Sequence, residues 1–215
     1  MKFEAVIFDL DGTLVDSMWV WATLDDEFLE KFGYVMPKEL GPLLEGLGFT
    51  ETAQMFKDYF NLPLSIEEIK KIWNEMAAKM YAMRVDLKVG VVEFLEYLQR
   101  NKIEMGIATS NSIELTQLVL EKHNIAHFFK SIVTSCDVEQ GKPHPFVYIE
   151  VAKRLGVEPE KCLVFEDIPN GIIGAKSANM TVWGIEDMQP DEVKIKAKKL
   201  ADRWVQNYHE VIESL

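Results

Sequence analysis

The sequence predicts a doubly wound α/β core with a parallel sheet, interrupted after its first strand by an all-helical insert. Three observations predict it. Short apolar runs recur along the chain without the alternation of a half-exposed strand, which suits strands covered on both faces. Helical patterns separate those runs, giving the strand–helix succession of an α/β fold. The stretch 16–87 breaks the succession and holds only helical text.

The elements follow in order. Strands are expected at residues 5–8, 105–108, 132–134, 162–165 and 181–185. Between them, Val91, Leu95 and Leu98 share one helical face, as do Leu115, Leu118 and Val119. Pro145 suits the opening of a helix carrying Phe146, Ile149 and Val151, and Gly156 suits its stop. Inside the insert, Ser65 and Glu68 form a capping box ahead of Ile69, Ile72, Trp73, Met76 and Met80 at helical spacing. Pro37, Gly41–Pro42 and Pro63 divide the insert into several helices. The expected division is a core of residues 1–15 and 88–215 and a helical cap of residues 16–87. In such cores, ligands bind outside the carboxyl ends of the strands.

Composition narrows the function. The chain has 215 residues, enough for one sizeable domain or one domain with a smaller insert. Its formal net charge of −12 argues against a nucleic acid polymer or an anionic membrane as partner, since both need a basic footprint. A small phosphate ester is still admissible, because one metal and one lysine can invert the local field. Cys136 and Cys162 stand far apart outside any CxxC and read as buried, reduced thiols. The N-terminal apolar run is broken by Asp9 and Asp11, so no targeting segment is expected, and no apolar stretch is long enough to span a membrane. A cytoplasmic protein is the expectation.

The first buried strand runs directly into Asp9-Leu10-Asp11-Gly12-Thr13. Two carboxylates one residue apart at a strand end are not explained by packing. A carboxylate can attack phosphorus and form an aspartyl-phosphate that water later removes. That reaction needs a hard cation such as Mg²⁺ and a second group to move protons, the role that Asp11 suits. Gly12 permits a tight turn close to a substrate. Thr109, Ser110 and Asn111 close the second strand and supply donors for phosphate oxygens. Lys142, between Gly141 and Pro143, can offset the charge on Asp9 and phosphate. Glu166 and Asp167 end a fourth apolar run, where two acids are costly unless they bind metal or pair with a cation.

These four elements, in this order, resemble the haloacid dehalogenase-like hydrolases, and most of all their β-phosphoglucomutase and small-phosphatase branch. The resemblance covers the whole chain, and DxDGT is its most specific motif. It implies a Rossmann-like core with a helical cap and a Mg²⁺ cofactor. It further implies that Asp9 is nucleophile and metal ligand, and that Asp11 is acid–base and offers its carbonyl to the metal. Thr109 becomes the hydroxyl residue, Lys142 the lysine and Asp167 the metal-binding acid. Glu166 is a further candidate ligand, direct or through water.

Mutases of this branch carry a histidine where Trp21 aligns, an arginine near Gly48-Phe49-Thr50-Glu51, and a cap lysine near Ala77, with Lys79 close by. A mutase must grip a second phosphate, which requires cationic or donor-rich groups. A phosphatase acting on a small phosphorylated metabolite is therefore preferred over a hexose phosphate mutase. A phospho-accepting signalling receiver is disfavoured, because receivers lack a lid and place their acids on different strands. A dehalogenase needs neither Asp11 nor Asp167. Met18, Trp19, Trp21 and Phe49 read first as the small core of the cap and second as an apolar rim to the site. His144 reads as an exposed loop residue, and Lys194, Lys196, Lys198 and Lys199 as a solvated helix face. The identity of the ester and the oligomeric state are not legible.

Overall fold

The computed structural model describes residues 3–44 and 47–214, so positions 1, 2, 45, 46 and 215 of the expected ranges lie outside the described residues. The chain opens with β1 (Ala5–Phe8) and β2 (Val15–Asp16), then enters four helices: α1 (Met18–Glu30), α2 (Gly41–Leu44), α3 (Phe49–Phe60) and α4 (Ile66–Met83). It returns through β3 (Asp86–Leu87). Then follow α5 (Val91–Arg100), β4 (Glu104–Thr109), α6 (Ile113–Lys122), β5 (Ser131–Thr134), α7 (Phe146–Leu155) and β6 (Cys162–Glu166). The last elements are α8 (Pro169–Ser177), β7 (Thr181–Ile185), α9 (Asp191–Leu200), β8 (Arg203–Val205) and α10 (Tyr208–Glu213).

Six strands form one parallel sheet in the order β5-β4-β1-β6-β7-β8. The central β1 therefore lies between β4 and β6, and the chain changes direction across it. That is the switch point at which open α/β sheets bind ligands. Burial on both faces follows from the residue types. Val6 and Phe8 join one apolar cluster and Ala5 and Ile7 the other, so the strand is covered above and below. Phe8 stacks on Phe165 at 5.6 Å, and Phe94 and Tyr208 close the same aromatic group. That cluster runs on through Leu10 and Leu14 into Phe28, Phe56 and Trp73 of the inserted helices.

The five expected strands are present, with small extensions. β8 was not expected. It is the edge strand, and only Val205 of its three residues is buried, so no apolar run marks it. The two-residue strands β2 and β3 pair antiparallel, Val15 with Leu87 and Asp16 with Asp86, and are too short to show a period. Ser65 caps α4 as expected, accepting from the Glu68 N–H while Glu68 accepts from the Ser65 N–H at 2.7 Å.

Two helices show which face is buried, and two expectations, for Cys136 and for the lysines of α9, need correction. In α7 the buried face is Val147, Tyr148, Val151, Ala152 and Leu155, while Phe146 and Ile149 point outward. The Pro145 start fixes the helix but not its phase. In α4 the buried stripe is Ile69, Trp73, Ala77 and Tyr81, with Ile72, Met76 and Met80 only flanking it. Cys162 is buried and free, but Cys136 is free and exposed. Lys194 and Lys198 are not merely solvated. Both pair with Glu186, at 2.7 and 3.1 Å, and Lys198 also lies over the Trp204 ring. Among the described residues, no helix is long and apolar enough to cross a membrane.

Candidate active site

The carboxyl ends of β1, β4 and β6 bring the expected residues to one crevice. The Asp9 N–H donates to the Phe165 carbonyl at 3.0 Å, continuing the sheet one residue past β1. That bond fixes the Asp9 carboxylate beside the end of β6. Lys142 Nζ donates to Asp9 Oδ1 at 2.5 Å and also to Glu166 Oε1. Tyr148 reaches the same Glu166 oxygen with its hydroxyl at 2.6 Å, and the Asp167 N–H donates to Glu166 Oε2 at 3.0 Å. Gly171 must be glycine, because a side chain there would run into the Glu166 carboxylate.

Lys142 and Asp9 are each almost wholly buried. Burial alone would strip the proton from Lys142, but the Asp9 and Glu166 carboxylates hold it protonated, above its ordinary range. Burial pushes the Asp9 carboxyl up to about 8, against the pull of Lys142 and with the push of Glu166. Asp167 is also pushed well above the usual carboxylate range, by burial first and then by the charges of Glu166, Asp9 and Asp187. Three carboxyl groups thus crowd one lysine in the crevice.

Asp167 is held by Thr13 Oγ1 at 3.1 Å and by Gln189 Nε2 at 2.9 Å. Its Oδ2 fills the space over Gly12, whose positive φ of 79° and missing side chain admit it. One carboxylate oxygen each from Asp9, Glu166 and Asp167 lie within 4.8 Å of one another, a spacing suited to a hard cation.

Asp11 lies apart from this group. Its Oδ1 accepts from Ser17 Oγ and Tyr81 OH, and its Oδ2 from Asn111 Nδ2 at 2.9 Å. Asn111, expected to face phosphate, instead turns its amide to Asp11 and to Tyr81 OH at 3.0 Å. Its Oδ1 meanwhile accepts from the Ser112 N–H at 2.7 Å. Thr109 is buried at the end of β4, its Oγ1 accepting from the Asn111 N–H at 3.0 Å. Ser110 faces Ser135, Oγ to Oγ 3.3 Å, and its carbonyl accepts from the Phe49 N–H of the insert at 3.1 Å.

Among the described residues, the contacts that the inserted helices make here include Tyr81 on Asp11, Phe49 on Ser110, and Asn74, which accepts from Ser112 Oγ at 2.7 Å. Phe49 is buried against Trp73 at 5.6 Å, so it belongs to the core of the insert, while Trp21 is half-buried between Phe49 and Tyr81. Beside these contacts a cleft of about 400 Å³ separates α4 from the ends of β4 and β5. Lys70, Lys71, Asn74, Ser112 and Thr134 line it, and Asp9 does not. His144 is exposed, stacked near Phe146.

Sequence reasoning missed Ser17, Tyr81, Tyr148, Asp187 and Gln189. Tyr81 ends the i, i+4 stripe of α4 and could have been found by phasing that helix from Trp73. Asp187 is an acid just past a buried strand, the same signal that marked Asp9 and Asp167.

Fold and site together define an enzyme that works on phosphorus at the end of a parallel sheet. A sequence profile of haloacid dehalogenase-like hydrolases matches residues 6–185. The chain belongs to that family, and it is a phosphoric monoester hydrolase. It is 32% identical to a probable pseudouridine-5′-phosphatase of Drosophila melanogaster, over 90% of this chain and 86% of that one. It is 30% identical to a phosphorylated carbohydrates phosphatase of Thermotoga maritima, over 85% of each. In fold it is similar to CbbY of Rhodobacter sphaeroides, crystallised in complex with xylulose-(1,5)-bisphosphate. There the TM-score is 0.85 at 23% identity, over 97% of this chain and 96% of that one.

Proposed function

We propose that the chain hydrolyses a small phosphate ester through an aspartyl-phosphate on Asp9, with Mg²⁺ held by Asp9, Asp167 and the backbone carbonyl of Asp11. The observation that carries this reading is the contact of Lys142 with Asp9 at 2.5 Å, beside Asp167, at the switch point of the sheet. The residues fit the cation: hard carboxylate oxygens of Asp9, Glu166 and Asp167 converge, and Gly12, lacking a side chain, lets the Asp167 carboxylate approach. Bound there, Mg²⁺ would neutralise charge on the phosphoryl oxygens and on Asp9.

In the first half of the reaction an Asp9 oxygen bonds to phosphorus as the ester P–O bond breaks, and Asp11 gives its proton to the leaving oxygen. In the second half water attacks phosphorus, the bond to Asp9 breaks, and Asp11 takes up the water's proton. Inorganic phosphate leaves and both carboxyl groups are restored. Lys142 lowers the repulsion between Asp9 and the incoming anion. Thr109, Ser110 and the turn at Gly12 supply donors to the phosphoryl oxygens. Glu166 has both oxygens engaged, so in this reading it fixes Lys142 and Asp167.

Residues 16–87 act as a cap over a core of 1–15 and 88–215. The substrate class we infer is a sugar or nucleoside monophosphate, in keeping with relatives named for pseudouridine 5′-phosphate and phosphorylated carbohydrates. Phe49, near where mutases would hold a second phosphate, is packed into the cap, which favours hydrolysis over phosphate shuffling.

The test is hydrolysis of p-nitrophenyl phosphate and a panel of sugar and nucleoside monophosphates, with Mg²⁺ and with chelator. Activity should need Mg²⁺, and Asp9→Asn should abolish it while leaving the fold intact. Acid-quenched wild type should carry one phosphoryl group on Asp9 by mass spectrometry. Full activity in chelator, or turnover by Asp9→Asn, would overturn the mechanism.

A further inference from the structure

Asp187 has no part in the scheme above, yet it is one of the most enclosed acids in the molecule. It follows the end of β7, the strand beside that of Asp167. Its side chain is 1% exposed. One oxygen, Oδ1, accepts from Lys88 Nζ at 2.6 Å. The other, Oδ2, has no hydrogen-bond partner among the described residues. A buried carboxylate oxygen without a donor is costly, so its direction matters. Oδ2 points to the catalytic crevice, 3.1 Å from where a side-chain carbon on Gly12 would stand, in the same space that Asp167 Oδ2 bounds. The side-chain amide of Gln189 is spent on Asp167.

We propose that Asp187 is the outer anchor of the divalent-cation site, its free oxygen accepting a hydrogen bond from a water on the cation held by Asp9 and Asp167. The inference rests on the cation reading of the preceding subsection. Mg²⁺ dehydrates reluctantly and keeps several waters when bound by few carboxylates, so acceptors around it are needed. The orientation of Asp187 is fixed from behind. Lys88 Nζ donates to the Glu186 carbonyl at 2.8 Å as well as to Asp187, and the Lys88 N–H donates to the Leu14 carbonyl at 2.9 Å. Lys88 directly follows β3, so the acceptor is tied to the ribbon through which the chain enters and leaves the insert.

The experiment is calorimetric titration of the whole chain with Mg²⁺, together with melting in chelator and in excess Mg²⁺, for wild type and Asp187→Asn. The amide keeps an acceptor for Lys88 but turns a donor toward the crevice. Mg²⁺ should bind the variant roughly tenfold or more weakly, the size seen when a partner outside the ligand shell is lost. Its melting temperature in chelator should change little, because the amide oxygen still accepts from the partly exposed Lys88, and the rise on adding Mg²⁺ should shrink. Equal Mg²⁺ affinity in the two proteins would overturn the inference. So would a lower melting temperature in chelator with an undiminished Mg²⁺ shift, which would assign Asp187 to Lys88 alone. Should Asp187→Asn fail to fold, Asp187→Ala tests the same loss, since Lys88 is partly exposed and can turn to water. Wild type that binds no Mg²⁺ would sink the cation reading itself, whereas binding unchanged by the substitution would sink only the role of Asp187.

Discussion

The core and the helical insert bury opposite kinds of side chain. Under the sheet's carboxyl ends lie Asp9, Lys142, Glu166, Asp167 and Asp187, ionisable and nearly sealed from water. In the insert lie Phe28, Phe49, Phe56 and Trp73, ring against ring at 5.0–5.6 Å. Buried charge is tolerated only where partners or a ligand meet it, so the core's interior is built for one task and admits few replacements. Aromatic packing is less demanding of geometry, and it sets the insert's shape without committing it to a chemistry. One phenol crosses between the two regions: Tyr81, at the end of the buried stripe of α4, donates to Asp11.

The contrast can be pressed at three points. The largest effect is expected at Asp11, where the regions meet. Asp11→Asn keeps the backbone carbonyl but loses proton transfer, and should slow alkyl phosphates by roughly 10²–10⁴. Aryl phosphates, with better leaving groups, should lose less. Equal losses on both, measured as kcat/KM over a series of leaving groups, would leave Asp11 a structural role only.

A smaller effect is expected from the insert's side of that contact. Tyr81→Phe removes a hydrogen bond to a charged acceptor, and about a tenfold loss on alkyl phosphates should follow. Aryl phosphates should be nearly spared, and thermal stability should hardly change. A faster enzyme would mean instead that Tyr81 restrains Asp11 from the leaving group.

The smallest effect concerns the one acid of α1 that the insert half-buries. Burial first, and then the charge of Asp26, pushes Asp25 up to about 7. The sign follows from comparing states. Below about pH 4 the carboxyl is protonated in both folded and unfolded chains. Between there and about 7 only the unfolded chain gives up its proton, so folding stability falls as pH rises. Asp25→Asn should therefore match wild type in melting temperature at pH 4 and exceed it by a few degrees at pH 8. A constant difference across that range would show that Asp25 is not the titrating group.

Legibility divided along the same line. The strand ends were readable because an acid after a buried apolar run has few structural excuses, and Asp9, Lys142 and Asp167 do meet in one crevice. Their roles in a reaction were carried by the resemblance and not by spacing. The same logic reached no further than it was applied. Asp187 sits two residues past Ile185, after a strand in which Thr181 and Trp183 are only half-buried, so the strand end is marked less sharply. Tyr81 was hidden for a different reason. Met76, Met80 and Ile72 offered an equally apolar stripe on α4, and only the packing of Trp73 against Phe56 selects the phase that points Tyr81 inward. Asn111 was misdirected because a strand-end amide can face either a ligand or a neighbouring carboxylate, and the choice depends on Asp11 across a separation that sequence cannot measure.

The ribbon of β2 and β3 has a consequence for how such a protein can change. Val15 and Leu87 face one another, as do Asp16 and Asp86, so the chain leaves the core and rejoins it at the same spot. Everything threaded between those two pairs is a side trip, closed at its base like a stem. A shorter, longer or wholly different excursion could start from that stem without rerouting the sheet or moving Asp9 and Lys142. What ties such an excursion to the strands beneath it is the contact that reaches back into the core, Tyr81 on Asp11.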